Sequence, residues 1–426
     1  MRQPLLHRPF RRVWLGETLS LVGDYSFEVA FIWLILQETG SVATLAAVLL
    51  VQAVPRGVLL LVGGAVTDRM SPRTVMFLSH LTRGSAVTLL GLIAFADGVQ
   101  VWHLYALGAL TGAAEAFFWP ATASIMPSLL PSEHLARGNA LVGFGEQGSR
   151  LLGPVLGGAM VTLFGSPTAI LLNAGTFFLA ALTVLAAPRK QPSGTAGETA
   201  KSIAAIRTEI VDGLRYAARS REIRIVLMLI GAAALSYSGL FSVGLPALAG
   251  SFPEGSLALG ALLSAWGLGQ LLGTIGAVFT GLPRRWGMLI IGMTLCEGIA
   301  FMLLGFLPSL WLAVTVLVLL GIGVAYSSDV ALPTFIQTRA PAEALGRISS
   351  VMDLPRVTLE PLSIAAMGLL VGWDMRWGFA LAAVPMLLVG ITLVLDREAR
   401  SLSTAPPHPQ PQPEPKPDPA TRSTSA

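Results

Sequence analysis

The sequence predicts an all-α membrane protein in which twelve transmembrane helices form two pseudo-symmetric six-helix bundles. Three observations predict this fold class. The composition is that of a chain buried in a bilayer, the apolar residues fall into runs long enough to cross one, and the cationic residues lie almost entirely on one side of those runs.

The composition separates this chain from soluble proteins. Of its 426 residues, 53% are hydrophobic and only 12% are charged, and the mean hydropathy is +0.69. Soluble domains carry roughly 25% charged residues. This deficit excludes a soluble enzyme, a nucleic-acid binder and a disordered chain. The single cysteine, Cys296, excludes a disulfide within the chain and a cysteine-based metal site.

The apolar residues form a succession of membrane-length runs. A helix needs about 20 mostly apolar residues to cross the hydrocarbon core. The first run is too long for a signal peptide and lacks a cleavage pattern, so we expect it to be retained. The predicted spans are residues 13–37, 43–67, 74–96, 101–128, 135–163, 166–187, 223–248, 256–281, 286–307, 309–331, 343–372 and 375–395.

The positions of the cationic residues predict the topology. With the N-terminus inside, 23 of the 28 Lys and Arg residues are cytoplasmic, and Arg376 alone lies on the opposite side. This asymmetry follows the positive-inside rule. It predicts a multi-pass protein of the cell (inner or plasma) membrane with both termini in the cytoplasm, and it explains the basic character without a nucleic-acid partner.

A polar stretch divides the chain into two halves. We expect a six-helix bundle at 1–187, a cytoplasmic linker at 188–222, a second bundle at 223–398 and a disordered Pro-rich tail at 399–426. The second half of the linker repeats apolar residues at helical spacing, which is typical of an amphipathic helix at the membrane interface.

The two halves also repeat a sequence pattern. Pro131-x-Glu133-x-Leu135-x-Arg137 recurs as Pro341-x-Glu343-x-Leu345-x-Arg347, and both copies precede a span on its cytoplasmic side. Halves related by an axis along the membrane normal are a transporter architecture, with the substrate site between them near the midplane.

The loop after the second run carries a recognisable motif. It reads Gly63-Gly64-Ala65-Val66-Thr67-Asp68-Arg69-Met70-Ser71-Pro72-Arg73 and resembles the signature loop between helices two and three of the major facilitator superfamily. The resemblance implies that Asp68, Arg69 and Arg73 form a conformational gating loop. Asp68 is placed to cap the following helix or to bond a neighbouring helix end, and the arginines are placed to pair with nearby carboxylates.

The fifth run contains Gly153-Pro154-Val155-Leu156-Gly157-Gly158, which resembles the Gly-Pro motif of superfamily exporters that exchange substrate for protons. Small residues at this spacing also serve simple helix packing, which is the alternative interpretation. Three further stretches resemble the branch that includes enterobactin-type siderophore exporters and macrolide efflux pumps. They are Leu21–Asp24, Ala116–Ala121 through Asn139-Ala140-Leu141, and Asp212–Tyr216.

The predicted spans retain many ionisable residues. A charge at the bilayer centre costs about 2.5–3.5 kcal/mol on insertion scales and usually faces a cavity or a partner. A carboxyl group that leaves water, or gains a like-charged neighbour, holds its proton more strongly. The predicted proton-coupling residues are Asp24, Glu28, Glu115, Glu146, Asp353 and Glu360. Alternatively, Glu146–Arg150 and Asp353–Arg356 are structural ion pairs.

Arginine and aromatic residues inside the spans are candidates for contact with a substrate. Arg56 is placed to hold the Asp24 and Glu28 carboxylates or to meet an anionic substrate. Aromatic rings favour a large apolar or aromatic molecule, although such residues also pack or face lipid. The predicted substrate-cavity residues are Arg56, Phe117, Trp119, Arg150, Tyr237, Trp266 and Arg356.

Taken together, these features predict proton-coupled efflux (antiport) of a small amphipathic molecule, such as a drug, macrolide or siderophore. The alternatives are a proton symporter that imports a nutrient, and a receptor or scaffold built on a transporter fold. A membrane enzyme or ATP-driven pump is disfavoured, because no zinc-protease, nucleophile-elbow or phosphate-loop motif is present. We expect a monomer whose partners are substrate, protons and lipid, without cofactor, metal or nucleic acid.

Overall fold

The structure, a computed structural model, describes residues 2–187, 221–281, 286–327, 345–396 and 400. The predicted linker helix, the Pro-rich tail and the start of the second Pro-x-Glu repeat lie outside these residues. A short helix, Arg2–Leu6, precedes the first span. The first six spans are α1 (Arg8–Thr39), α2 (Val42–Arg69), α3 (Pro72–Phe95), α4 (Val101–Leu129), α5 (Leu135–Phe164) and α6 (Ser166–Leu185).

The second half repeats this succession of helices. Its spans are α7 (Arg221–Gly239, Leu240–Gly244 and Leu245–Gly250 in continuous order), α8 (Ser256–Thr280), α9 (Trp286–Leu304), α10 (Leu310–Val324), α11 (Leu345–Trp373) and α12 (Met375–Ala382 and Val384–Leu395). Within the described ranges, nine helices are long and apolar enough to cross a membrane. The helices α4, α5 and α11 have the length, at 29, 30 and 29 residues, but carry more polar residues.

Short polar connections set the helix ends. Gly40 ends α1 in the left-handed conformation with φ 59°, which glycine adopts without steric cost, and the Ser41 side chain then caps α2. The cap of α3 is Ser71, whose side chain accepts a hydrogen bond from the amide of Thr74. The cap position, directly before Pro72 at the first helical position, thus belongs to Ser71 and not to Asp68, for which the sequence offered either capping or a bond to a neighbouring helix end.

Two helices depart from the continuous runs that the sequence suggests. In α7, the Ser363 hydroxyl of α11 accepts from the Gly239 amide at 2.8 Å and donates to the Leu235 carbonyl at 2.6 Å. This side chain therefore competes for the backbone of α7, which widens into a π turn at Leu240–Gly244. In α12, the helix is interrupted at Ala383, because Pro385 has no amide hydrogen to continue it.

The helices pair in the same way in both halves. In the first half α1 packs on α5, α2 on α4 and α3 on α6. In the second half α7 packs on α11, α8 on α10 and α9 on α12, which is the same set of pairs advanced by six helices. The observed packing thus agrees with the internal repeat suggested by the sequence.

The two halves meet along α5–α8 and α2–α11. Toward the predicted outer side, the Thr162 and Ser256 hydroxyls lie 3.0 Å apart, and the Val155 amide donates to the Ser264 hydroxyl at 3.1 Å. These hydrogen bonds join backbones that approach closely, because the facing positions are glycines and serines. The space between the halves is therefore bounded by α1, α2, α5, α7, α8 and α11.

Candidate functional site

Two cavities lie between the halves. The larger has a volume of about 650 Å³ and is bounded by residues of α1, α5 and the second-half helices. The smaller, of about 260 Å³, lies against α1, α2, α3 and α4. Tyr25, Glu28, Ser242 and Glu360 line both cavities, so the two adjoin at the centre of the molecule. Within the described part of the chain, no group of three or more His, Cys, Asp or Glu residues has the geometry of a metal site.

A chain of alternating charges lines the smaller cavity. Asp24 on α1 lies 3.0 Å from Arg83 on α3, and Arg83 lies 3.5 Å from Glu115 on α4. Glu115 in turn lies 3.5 Å from Arg56 on α2. Arg56 also pairs with Glu360 on α11, so the chain crosses from one half to the other. We call these five residues the ion-pair chain.

The ion-pair chain is most withdrawn from solvent at Arg83 and Glu115, whereas Arg56 and Glu360 are about a third exposed. The Arg83 side chain is 7% exposed and that of Glu115 is 17% exposed. The Arg83 guanidinium also lies 4.3 Å from the centre of the Phe177 ring and 5.7 Å from that of Phe118, where aromatic faces attract a cation. Each arginine lies between two carboxylates, so protonation of one carboxylate leaves its arginine free to move toward the other.

The ion-pair partners differ from those that the sequence suggested. Arg56 contacts Glu115 and Glu360, not Asp24 and Glu28, and the partner of Asp24 is Arg83. The reason is that α1 and α3 both pack on α6, which brings Asp24 close to Arg83. Glu28 lines both cavities between the ion-pair chain and the second half.

Glu146 and Arg150 form the local ion pair that the sequence offered as an alternative to proton coupling. Their side chains lie 3.4 Å apart one turn along α5, and both are more than a third exposed. Arg150 lines the larger cavity and lies 5.8 Å from the ring of Tyr25. A surface-like pair of this kind contributes little to stability.

The larger cavity contains an aromatic cluster in the second half. Tyr237 and Phe241 stack with 5.7 Å between ring centres, and Trp266 meets Phe241 edge to face at 4.8 Å. Phe301 closes the group against Tyr237 at 4.8 Å. The Tyr237 hydroxyl donates to the carboxylate of Glu297 at 2.7 Å, which brings a buried acid to the edge of the rings. We call these four rings the aromatic cluster.

The remaining predicted cavity residues have mixed positions. Tyr237 and Trp266 line the larger cavity, whereas Trp119 is half exposed and lines the smaller one. Phe117 lines neither of these two cavities and packs instead on an apolar cluster of the first half, because Phe118, one position further along α4, takes the inward direction. The side chains of Asp353 and Arg356 lie outside the described residues.

The gating-loop residues lie where α2 ends and α3 begins. The side chains of Asp68 and Arg69 are among those not described. Arg73 donates to the backbone carbonyl of Leu185, at the end of α6, and not to a carboxylate as the sequence suggested. Carbonyl groups at a helix end carry partial negative charge, which favours this arrangement.

The Gly-Pro motif lies at the contact between α5 and both α1 and α8. The Ser26 hydroxyl of α1 donates to the Gly153 carbonyl at 2.8 Å, and Pro154 lines the larger cavity. A side chain at Gly157 would overlap the backbone of Ser26, and one at Gly158 would overlap the backbone of Ser256. The motif therefore packs α5 against α1 within the first half and against α8 of the second half.

Sequence reasoning missed two buried ionisable pairs. Glu297 was left without a role, since nothing in the sequence places Tyr237 beside it. His80 of α3 was not among the predicted site residues, yet it is fully buried and its Nε2 lies 2.9 Å from a Glu17 carboxylate oxygen. The repetition of acidic residues along one face of α1, at positions 17, 24 and 28, was the available signal.

Comparison with known proteins agrees with this architecture. The Major Facilitator Superfamily pattern matches residues 13–354. The multidrug efflux pump Tap of Mycolicibacterium fortuitum is 29% identical over 388 residues, covering 88% of this chain and 93% of the relative. The enterobactin exporter EntS of Shigella boydii serotype 18 is 27% identical over 404 residues, covering 94% and 95%.

Solved structures share the fold at low identity. A mutant form of the nucleoside transporter NupG aligns with a TM-score of 0.70 at 12% identity, covering 91% of this chain and 99% of the other. A bacterial homologue of the human lysosomal transporter Spinster, in an inward-facing and occupied conformation, aligns with a TM-score of 0.65 at 15% identity, covering 92% and 94%. With the family match spanning most of its length, the chain belongs to the major facilitator superfamily and is a multi-pass membrane transporter.

Proposed function

We propose that this protein is a proton-coupled exporter that exchanges protons for small amphipathic molecules across the cell membrane by alternating access. The single observation that carries this proposal is the ion-pair chain, which links four helices of the first half to α11 of the second. Intramembrane charges are costly, and a chain that ends at the interface of two halves couples their protonation to their relative position.

The charge balance of the cavities favours a cationic substrate. Their described linings contain three arginines and five acidic residues. With every carboxylate ionised the lining carries excess negative charge, which attracts either protons or an organic cation. A proton and a cation that compete for the same carboxylates are exchanged and not carried together. The acidic lining residues are Asp24, Glu28, Glu115, Glu297 and Glu360.

The aromatic cluster supports the amphipathic part of the substrate. The rings of Tyr237, Phe241 and Trp266 offer flat apolar faces on the second half of the larger cavity, and the Glu297 carboxylate lies at their edge. Stacking and cation–π attraction suit a planar aromatic cation. The proposed site thus binds the apolar body in the second half and compensates its charge with carboxylates nearby.

The relatives favour export over import. Tap is named a multidrug efflux pump and EntS an enterobactin exporter, and each spans nearly the whole of this chain. The proposed topology places both termini in the cytoplasm, with substrate loading from that side. We propose that the transporter acts as a monomer, since both halves of the cavity come from one chain.

Transport by purified protein in proteoliposomes tests the proposal. The probe is ethidium, a permanently charged aromatic cation that a pH gradient alone does not redistribute. Antiport predicts that ethidium accumulates in vesicles with an acidic lumen, whereas proton symport predicts accumulation when the outside is acidic. Asp24→Asn and Glu115→Gln are expected to abolish gradient-driven accumulation. Wild-type rates in both variants would show that the ion-pair chain does not couple protons to transport.

A further inference from the structure

A second buried ionisable pair lies in the first half, away from both cavities. His80 is fully buried, and its Nε2 lies 2.9 Å from the Glu17 carboxylate. The imidazole meets the ring of Phe118 edge to face at 5.0 Å, and that of Phe177 at 6.0 Å. These are the two rings against which Arg83 of the ion-pair chain also packs.

The pair has unused hydrogen-bonding capacity. The His80 Nδ1 atom and the Ser20 hydroxyl are both buried and have no hydrogen-bonding partner among the described residues. A histidine retained only for structure is expected to satisfy both ring nitrogens, since a buried unpaired polar atom costs about 1–3 kcal/mol. An imidazole with one nitrogen on a carboxylate and the other open is instead arranged to accept a proton.

The positions along the helices form a ladder. Glu17, Ser20 and Asp24 follow one face of α1 at spacings of three and four residues, so Glu17 and Asp24 are separated by about 10 Å along the axis. On α3, His80 precedes Arg83 by one turn. The Glu17–His80 pair lies on the side of Asp24 that faces the predicted cytoplasmic ends of both helices.

Few other charges surround this ladder. From α4, Glu115 faces Arg83. The sequence of α6 contains no charged residue. Its polar side chains beside α1 are Thr183 at Gly16 and Asn173 and Thr176 at Gly23. The Glu17–His80 pair therefore has the Asp24–Arg83 pair as a charged neighbour one turn away.

We propose that Glu17 and His80 are proton-relay residues, which carry the proton from Asp24 to the cytoplasm during each exchange. This inference rests on the proposed function. The Asp24 proton passes by way of the Ser20 hydroxyl to His80 Nδ1. The resulting imidazolium gives its Nε2 proton to the Glu17 carboxylate, and Glu17 then releases a proton to cytoplasmic water. His80 is left with its hydrogen on Nδ1, and a tautomer exchange back to Nε2–H completes the cycle before the next exchange.

Stopped-flow measurement of proton release by the purified full-length protein tests the relay. Ethidium is mixed with protein in a weakly buffered solution that contains a pH-indicator dye. Asp24→Asn is expected to abolish the amplitude of release, because it removes the donor. His80→Gln and Glu17→Gln are expected to retain the wild-type amplitude and ethidium affinity and to slow release at least about tenfold. His103→Gln is the matched control, because His103 lies in the first turn of α4, far from the Glu17–His80 pair. This variant should keep the wild-type rate of proton release.

The possible outcomes separate the two proposals. Wild-type rates of release in both His80→Gln and Glu17→Gln would overturn the relay while the exchange function stands. Slow release with full amplitude in either variant supports the relay, because unchanged ethidium affinity shows that the variant is folded. The absence of proton release from the wild-type protein would overturn the exchange function and the relay with it.

Discussion

At the scale of single residues, Arg83 holds the ion-pair chain together. Its guanidinium contacts both Asp24 and Glu115 and packs on two aromatic rings. Arg83→Gln leaves Asp24 without a cation and leaves Glu115 with Arg56 alone, and we expect the free energy of unfolding to fall by about 3–5 kcal/mol at neutral pH. The measurement is the melting temperature of the purified variant.

The loss of stability in Arg83→Gln should depend on pH, because only an ionised carboxylate needs a neighbouring cation. Acidification protonates the Asp24 carboxylate, and a neutral carboxyl group no longer needs the missing cation. The deficit of Arg83→Gln relative to wild type should therefore shrink as the pH falls. Arg376→Gln, which alters an exposed arginine, should match wild type throughout. A deficit that stays constant or grows on acidification would mean that Arg83 acts through packing and not through charge.

Tyr237 offers a test of the proposed substrate site. Tyr237→Phe keeps the ring in the aromatic cluster and removes its hydrogen bond to Glu297. A hydrogen bond to a charged group contributes about 1.5–3 kcal/mol, so we expect ethidium affinity to change by roughly tenfold or more. Tyr105→Phe, which alters a tyrosine packed on the first-half core, serves as the control. Equal affinities of both variants would place the substrate elsewhere.

The residue types of the site were predictable from sequence, and their partners were not. Intramembrane carboxylates and arginines stand out because they are costly there. Which of them meet depends on how helices distant in the chain pack, as with His80 and Glu17, which are 63 positions apart. Phe117 and Phe118 differ only in the direction they take from α4, and composition gives no sign of that difference.

At the scale of elements, the glycines of α5 decide which helices approach closely. A methyl group at Gly157 would overlap Ser26 of α1, and one at Gly158 would overlap Ser256 of α8. Gly148, on the same helix, faces open space. The Gly-Pro motif therefore has a packing function at both contacts, whatever its further part in transport.

Alanine substitutions along α5 separate these contacts. Gly157→Ala is expected to lower the free energy of unfolding by about 1–3 kcal/mol through overpacking within the first half. Gly158→Ala forces α5 from α8, so we expect transport to fall more strongly than stability. Gly148→Ala should be neutral or stabilising by up to about 1 kcal/mol. Thermal melts and ethidium transport of all three variants give the comparison, and identical behaviour of the three would contradict it.

The apolar runs predicted where the helices lie, but they did not predict the irregularities within them. The spans begin and end close to their predicted residues because Ser, Gly and Pro mark the turns. The π turn of α7 depends on Ser363, which belongs to a helix more than a hundred residues later. A contact from a helix so distant in the chain leaves no local signal in the sequence of α7 itself.

At the scale of the whole molecule, the Arg56–Glu360 ion pair joins the two halves where the ion-pair chain passes from one to the other. Glu360→Gln removes the negative charge of this pair. We expect it to destabilise the observed arrangement of the two halves relative to the other conformation used in alternating access. A change of about 1.4 kcal/mol shifts the population ratio tenfold.

The change in population can be measured as the distance between spin labels at positions 133 and 280. The exposed Cys296 is first replaced by Ser, so that only these two positions are labelled. We expect Glu360→Gln to add a second distance population that acidification of the wild-type protein also produces. Asp396→Asn, which breaks the Arg221–Asp396 pair within the second half, is the control and should leave the distribution unchanged. A Glu360→Gln distribution identical to wild type would show that this pair does not bias the halves.

The exchange of a proton for a substrate molecule is the central feature of the proposed function. Simultaneous recording of ethidium and proton fluxes in the same proteoliposomes tests it most directly, with one dye-based signal for each. We predict that the fluxes run in opposite directions at a fixed ratio and that Asp24→Asn abolishes both gradient-driven fluxes. Ethidium movement without proton movement, or fluxes in the same direction, would contradict it.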